Sequence, residues 1–426
     1  MPFATLGLLP TLLNAVAAQG FTTPTAIQQS AIPAVLAGRD VLGCAQTGSG
    51  KTLAFVLPLL QGWHSAGRAK PRLPCALVVV PTRELAAQVG QTLEQMAAAM
   101  ARPPKVSVVF GGVSINPQMM ALRGGTDLVV ATPGRLLDLI DHNALTLSGV
   151  HTLVLDEADR LLDLGFSDEL ARILSLLPPQ RQNLFFSATF APAVQTLAHD
   201  LLRDPVRIDV LPAPQDQPDI TQRAIAVDPS RRTQLLRHLI QDQKWRRVLV
   251  FVATKHAAEI VADKLRKARI NAEPFHGVLS QGKRTQVLAD FKAQRVSVVV
   301  ATDLAGRGID IEQLPVVVNY DLPRSAVDYT HRIGRTGRAG ESGLAVSFVS
   351  ADTRAHWQLI DKRHGLELPL EQIDGFEPVQ IEPAAVASHD AVPADPTGGV
   401  KGKRPSKKDK LRAAARQTAG ASGPQG

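Results

Sequence analysis

The sequence predicts an α/β chain of two tandem parallel-sheet domains followed by a disordered basic tail. Three observations carry that expectation. Short β-branched runs alternate with longer helical patterns, as in parallel sheets with crossover helices. The rhythm occurs twice, with a proline-rich segment between the two runs. Past about Leu368 it fades into Pro, Ala, Gly and charge. At about 150 residues per domain, 426 residues hold two or three domains, which fits.

Residues 1–29 form a helical lead-in. No charged side chain precedes Arg39, and Ala17-Ala18-Gln19 has the small residues of a cleavage site. However, Thr11, Asn14 and Gln19 interrupt the apolar run, while Leu12, Leu13 and Val16 recur at helical spacing. An amphipathic helix is expected here, not a secretory signal. Residues 30–210 form the first sheet domain, with strands at 41–45, 76–80, 106–110, 127–131, 152–155 and 182–186. Between them a helix over 83–100 aligns Leu85, Val89, Leu93, Met96 and Met100 in one stripe. Residues 211–219, with three prolines and two acids, read as a semi-stiff linker. Residues 220–368 repeat the pattern, with strands at 248–252, 297–301, 316–319 and 344–349. There Ala257, Ile260, Val261, Leu265 and Ala268 are the expected buried face of a helix. Residues 369–426 are the tail.

Composition excludes several classes. Hydrophobic residues at 45% and charged residues at 20% are ordinary for globular chains with sizeable cores. Only Cys44 and Cys75 occur, too few for a disulfide framework or a cysteine-rich zinc site, and consistent with a reducing cytoplasm. No apolar run approaches the ~18 residues of a membrane helix. The net charge of +8 is local: residues 391–426 hold eight basic side chains against two acids, while the rest is nearly neutral. An anionic partner is admitted but not named. Aromatics at 4% are too sparse for a base-stacking platform.

Ala45-Gln46-Thr47-Gly48-Ser49-Gly50-Lys51-Thr52 follows a strand and opens a helix, the context of a phosphate-binding loop. Glycines let backbone N–H groups approach phosphate, Lys51 reaches the β- and γ-phosphates, and Thr52 can hold Mg²⁺. The generic motif begins with Gly, and here Ala45 stands in its place. Asp156-Glu157-Ala158-Asp159 ends another strand, where Asp156 is placed to hold Mg²⁺ and Glu157 to polarise the attacking water. Alone, that tetrapeptide would equally be a solvated acidic turn; beside Lys51 it reads as the other half of a triphosphate-hydrolysing site. In His331-Arg-Ile-Gly-Arg335-Thr-Gly-Arg338, two guanidiniums from the second domain can reach a γ-phosphate and couple hydrolysis to domain closure.

Taken together, over roughly residues 3 to 365, these motifs resemble the DEAD-box RNA helicases of helicase superfamily 2. The segment 116–125 and the basic tail resemble the bacterial RhlE-like subgroup. The resemblance implies two RecA-like domains, ATP with Mg²⁺, RNA as partner and a cytoplasmic location; Ala45 is usual in that family. It implies that Gln28, with Phe21 and the upstream Phe3, recognises adenine; an amide can pair bidentately with adenine N6 and N7. It places Asp310 on the ribose. Ser187 and Thr189 would couple the nucleotide site to unwinding through hydroxyl bonds to Asp159, with His331 on the facing domain. The implied RNA groove comprises Pro81, Thr82, Arg83, Gly111, Gly112, Thr132, Pro133, Gly134 and Arg135, then Phe251, His276-Gly277 and Thr302. Hydroxyls, guanidiniums and helix starts of this kind bind the backbone, not base identity.

The leading expectation is RNA-stimulated ATP hydrolysis coupled to local, non-processive separation of short duplexes or remodelling of ribonucleoproteins. The alternative is an ATP-gated RNA clamp or assembly scaffold. Ribosomal precursors and RNA-degradation machinery are the expected partners, and no membrane is implied.

Lys408, Arg412 and Arg416 recur at i, i+4 and i+8 in an Ala-rich stretch, so the tail is expected to tether RNA. If it neutralises about four phosphates, truncation after Pro393 lowers the slope of log affinity against log salt by about 3. RNA titrations at several salt concentrations should show that drop with the saturated ATPase rate unchanged.

Overall fold

Most of the β-branched runs become strands buried on both faces with helices packed over them, while the edge run 106–109 is fully buried on one face only. The computed structural model describes residues 2–45, 48–66, 71–210, 219–303, 314–337 and 342–379. The first sheet contains β1 (Val41–Cys44), β2 (Ala76–Val79), β3 (Val106–Val109), β4 (Leu128–Ala131), β5 (Thr152–Leu155), β6 (Gln182–Ser187) and β7 (Val206–Asp209). Its order is β3-β4-β2-β5-β6-β1-β7. The second contains β8 (Ile220–Ala226), β9 (Val248–Val252), β10 (Ala272–Phe275), β11 (Val298–Thr302), β12 (Val316–Asn319), β13 (Gly343–Val349) and β14 (Leu370–Glu371). Its order is β10-β11-β9-β12-β13-β8-β14. Every pairing is parallel. Both sheets fall within one compact unit.

The expected strands appear within a residue or two of their predicted limits. β7, β8, β10 and β14 were not anticipated, for physical reasons. β8 mixes Thr, Gln and Arg with its apolar residues and pairs along its whole length with β13. β10 reads Ala-Glu-Pro-Phe and tolerates Pro274 because it lies at the sheet edge. The second domain also runs past Leu368. β14 pairs with β8, Arg223 grips Glu371 at 2.6 Å, and Ile373 and Phe376 pack against the core. The linker residues 211–218 and the tail from residue 380 lie outside the described residues.

The helix Arg83–Ala97 buries Leu85, Val89, Leu93 and Met96 as its stripe requires, and Met100 is buried just beyond its end. In the helix Lys255–Lys267 the buried face is Ala258, Val261, Ala262 and Leu265. Ile260 is 38% exposed, because the stripe is rotated one position from the expected one. Leu12 and Val16, on the helix Pro10–Ala18, are buried in the first core. Among the described residues no helix is long and apolar enough to cross a membrane.

Gly43, in the strand that leads into the phosphate loop, has no room for a side chain. A Cβ there would lie 2.6 Å from the Phe186 ring, itself fully buried and tilted against Phe55. Gly43→Ala should therefore destabilise the fold by about 1–3 kcal/mol through overpacking. A lower urea midpoint with an unchanged m-value is the expected result.

Candidate active site

β1 and β5 flank β6, so the segments after Cys44, Leu155 and Ser187 emerge side by side at the carboxyl edge of the first sheet. Ala45 N–H donates to the Ser187 carbonyl at 3.1 Å. Gly48 and Gly50 take φ of +82° and +90°, and the helix Lys51–Ala66 starts directly after them. Lys51 is buried, and its ammonium donates to the Ala45 carbonyl at 2.6 Å, spanning the loop. The buried Ser49 hydroxyl oxygen has no hydrogen-bond partner, an orphan that a phosphate oxygen would satisfy. Gln46 and Thr47 lie outside the described residues.

Gln28 is turned onto this loop. Its Oε1 accepts from Thr25 N–H and its Nε2 donates to the Gly50 carbonyl, each at 3.0 Å. A Cβ on residue 50 would sit 2.5 Å from that Nε2, so only glycine fits. Reading an adenine would require the amide to exchange these bonds. Phe21 is 46% exposed and free to stack on a ring. Phe3 differs from expectation. It is buried in the core, on a short helix, Phe3–Leu6, whose Leu6 shares a cleft with Leu36, Ala76 and Thr152 at the opposite edge of the sheet. Its role here is packing.

At the end of β5 three carboxylates have three environments. Asp156 is buried, and burial pushes it up to about 6 against the pull of Lys51. A carboxylate so disfavoured gains from a cation, and Thr52 offers a hydroxyl from the first turn of the neighbouring helix. One carboxylate, one hydroxyl, water and phosphate oxygens are a usual Mg²⁺ set, so the residues fit that ion. Among the described residues no cluster of three His, Cys, Asp or Glu side chains offers another metal site. Glu157 takes φ +52°, and its carboxylate meets Arg160 at 2.6 Å. Burial pushes Glu157 up, but Arg160, with Lys51 and Arg335, outweighs it and holds the carboxyl below its usual range. Arg335 comes from the second sheet domain. Asp159 Oδ2 accepts from Thr189 N–H at 2.9 Å and from the Thr189 hydroxyl at 2.8 Å; the Ser187 hydroxyl, contrary to expectation, donates to the Thr189 carbonyl, because the turn brings that carbonyl closer. Thr189 and His331 line one interdomain cleft of about 360 Å³. Asp310 and Arg338 lie outside the described residues.

Adjacent strands β3, β4 and β2 bring the three expected RNA-binding loops of the first domain to the same edge. Thr82 caps the helix Arg83–Ala97, and Thr132 and Pro133 open the helix Pro133–Asp141. Two helix starts therefore face this edge with their positive ends. Gly111 N–H donates to Thr132 Oγ1 at 3.4 Å, and Arg83 packs so closely on Gly112 that a Cβ there would overlap its guanidinium. Arg135 is buried and donates to the Val113 carbonyl at 2.6 Å, so it braces this surface from beneath. In the second domain Thr302 ends β11, half-buried. Phe251 is 1% exposed beneath Arg332, and His276 is buried against Glu259 at 2.8 Å, so neither presents a side chain to RNA.

Two further groups escape the local sequence pattern. Arg332 grips Asp303 at 2.6 and 2.7 Å and also donates to Asn319 and Asp321, locking the 331–337 segment to the end of β11. Glu84 of the first domain meets Arg284 of the second at 2.8 Å, both nearly inaccessible. Two hundred residues separate that pair, so no local signal could announce it.

Residues 25–197 match the DEAD/DEAH box helicase family and residues 231–340 the helicase conserved C-terminal domain. The chain is 41% identical over 379 residues to the ATP-dependent rRNA helicase RRP3 of Pyricularia oryzae, spanning 88% of this chain and 69% of that protein. It is 39% identical over 383 residues to the ATP-dependent RNA helicase DeaD of Mycobacterium tuberculosis, spanning 90% of this chain and 67% of that one. Its fold is similar to S. cerevisiae Dbp5 bound to RNA and ADP BeF3, with a TM-score of 0.76 and 30% identity over 87% of this chain and 95% of that one.

Removing one partner of the Glu84–Arg284 pair strands a buried charge, which costs about 3–5 kcal/mol. Glu84→Gln should therefore reduce the joined-domain population more than tenfold, read by energy transfer between labels on the two domains. Adding Arg284→Gln should recover part of the loss, with a coupling of about 1–3 kcal/mol.

Proposed function

This chain belongs to the DEAD-box family of ATP-dependent RNA helicases, and we propose that it separates short RNA duplexes locally and without processive travel. As a family member it is an RNA-dependent ATPase that binds ATP. In the proposed mechanism Lys51 exchanges the Ala45 carbonyl for the β- and γ-phosphates, and Thr52 and Asp156 would hold Mg²⁺, which would supply charge neutralisation. Glu157 orients and polarises the attacking water. Arg335, with Arg338, stabilises charge as the γ-phosphoryl leaves. Gln28 and Phe21 take the adenine, Asp310 the ribose, and Asp159, Ser187, Thr189 and His331 carry the nucleotide state to the RNA face. Arg83 and the helix starts at Thr82 and Thr132 grip the RNA backbone without reading bases.

The observation that carries this reading is geometric: Thr189, bonded to Asp159 of the acidic tetrapeptide in the first domain, and His331 of the second line one cleft. A site assembled from both domains is complete only when they meet, so hydrolysis and domain closure are linked. Such a cycle opens the few base pairs it touches and then resets. The rRNA helicase names among the relatives support ribosomal precursors as the substrate class. The helix Asn116–Leu122 and the basic tail support an RhlE-like subgroup, and cytoplasmic work is part of the proposal.

Strand displacement on duplexes of increasing length tests it: activity should fall steeply with length while ATP turnover per RNA bound does not. Glu157→Gln keeps shape and hydrogen bonding but loses the charge. It should lower kcat by about 10²–10⁴ with ATP affinity intact and RNA retained longer in filter binding. Near-parent turnover would remove Glu157 from the mechanism.

A further inference from the structure

The chain body outside the tail is nearly neutral, yet one edge of the second sheet is strongly basic. The segments 242–247, 263–269 and 290–295 lead into β9, β10 and β11 and hold nine basic residues against three acids. Register places them together: Ala272 pairs with Val298 and Val298 with Val248. Backbone bonds from Val248 to Ser297 and from Ser297 to Asn271 tie the three strand entries directly. Neighbouring strands lie about 4.8 Å apart, so the segments line a strip roughly 10 Å across. This is the amino edge of the sheet. Thr302 and the other motif-bearing ends are about 15 Å away at the carboxyl edge.

Helix ends explain part of this charge. The helices Arg232–Asp242, Lys255–Lys267 and Gln281–Lys292 all end here, and cations in a last turn offset the helix dipole. Asp263 pairs with Lys267 at 2.7 Å and Asp290 with Arg295 at 2.6 Å. Lys244, Arg246, Lys264 and Arg269 are exposed and make no ion pair among the described residues. Lys244 and Arg269 also occupy left-handed positions, φ +53° and +60°, where glycine or asparagine would be easier by about 1 kcal/mol. Long cations are kept where the backbone favours other residues. Trp245, half-buried between Lys244 and Arg246, adds an aromatic edge.

We propose that this edge is a second RNA surface, which holds the phosphate backbone of strand extending beyond the motif-bearing face. The proposal rests on the reading of the chain as an RNA-stimulated ATPase. Backbone contact through lysine and arginine is independent of sequence and strongly salt-dependent. It would keep a long substrate associated while the carboxyl-edge site opens and resets.

The test is the full chain carrying Lys244→Asn, Arg246→Gln and Arg269→Asn, since asparagine tolerates the left-handed backbone. The RNAs are single strands of about 10 and about 30 nucleotides, the shorter matching a single site. With the shorter RNA, affinity and stimulated ATPase should equal those of the parent, which also reports an intact fold. With the longer RNA, affinity should fall and the salt slope drop by about 2, for three phosphates at about 0.7 each. Quenching of Trp245, read against a Trp245→Phe control, should accompany only the longer RNA. Equal affinities of variant and parent for the longer RNA would overturn the proposal. So would losing both RNAs alike, or a patch that binds polyglutamate in place of RNA. If the shorter RNA failed to stimulate the parent ATPase at all, the functional reading would fall instead, and the affinity comparison would still judge the patch.

Discussion

Both sheets are wholly parallel, and parallel strands all deliver their carboxyl ends to one edge. The crossover helices start at that edge too, so positive helix ends, exposed loop backbone and strand-end side chains accumulate there. In the first sheet this brings the loop after β1, the acids after β5 and the Ser187–Thr189 turn after β6 into hydrogen-bonding range. The same constraint collects the Thr82, Gly111 and Thr132 loops a few strands away. The residues proposed for nucleotide chemistry and those proposed for the main RNA groove therefore share one edge of the first sheet.

Buried charge then decides how the parts engage. Asp156 sits where burial opposes its ionised form, with Lys51 close enough to help. Glu157 is held ionised by Arg160 and, across the domains, by Arg335. Glu84–Arg284 and Arg332–Asp303 are similarly withdrawn from water. Buried pairs add little net stability, but breaking one is expensive. The pair that crosses the domains, Glu84–Arg284, therefore favours one arrangement of the two sheets over others, while the pairs within a domain fix local loops. The left-handed backbone at Glu157 belongs to the same economy: strain of about 1–2 kcal/mol is kept where it aims a carboxylate.

The sequence alone determined the strands, because β-branched runs buried on both faces leave a mark no loop imitates. The strand–loop–helix context of the phosphate loop and the acidic tetrapeptide at a strand end were also legible in it, whereas the Thr189–Asp159 link was expected only from the family resemblance. Tertiary structure alone decided the rest. β8 and β10 are strands through their partners, not their own composition. Phe3, Arg135, Phe251 and His276 are motif residues that the fold turns inward. The Glu84–Arg284 pair and the basic edge of β9, β10 and β11 arise from register and domain contact. Local pattern records what a residue prefers within a few positions; which distant residue meets it depends on how whole layers pack, and no short window carries that.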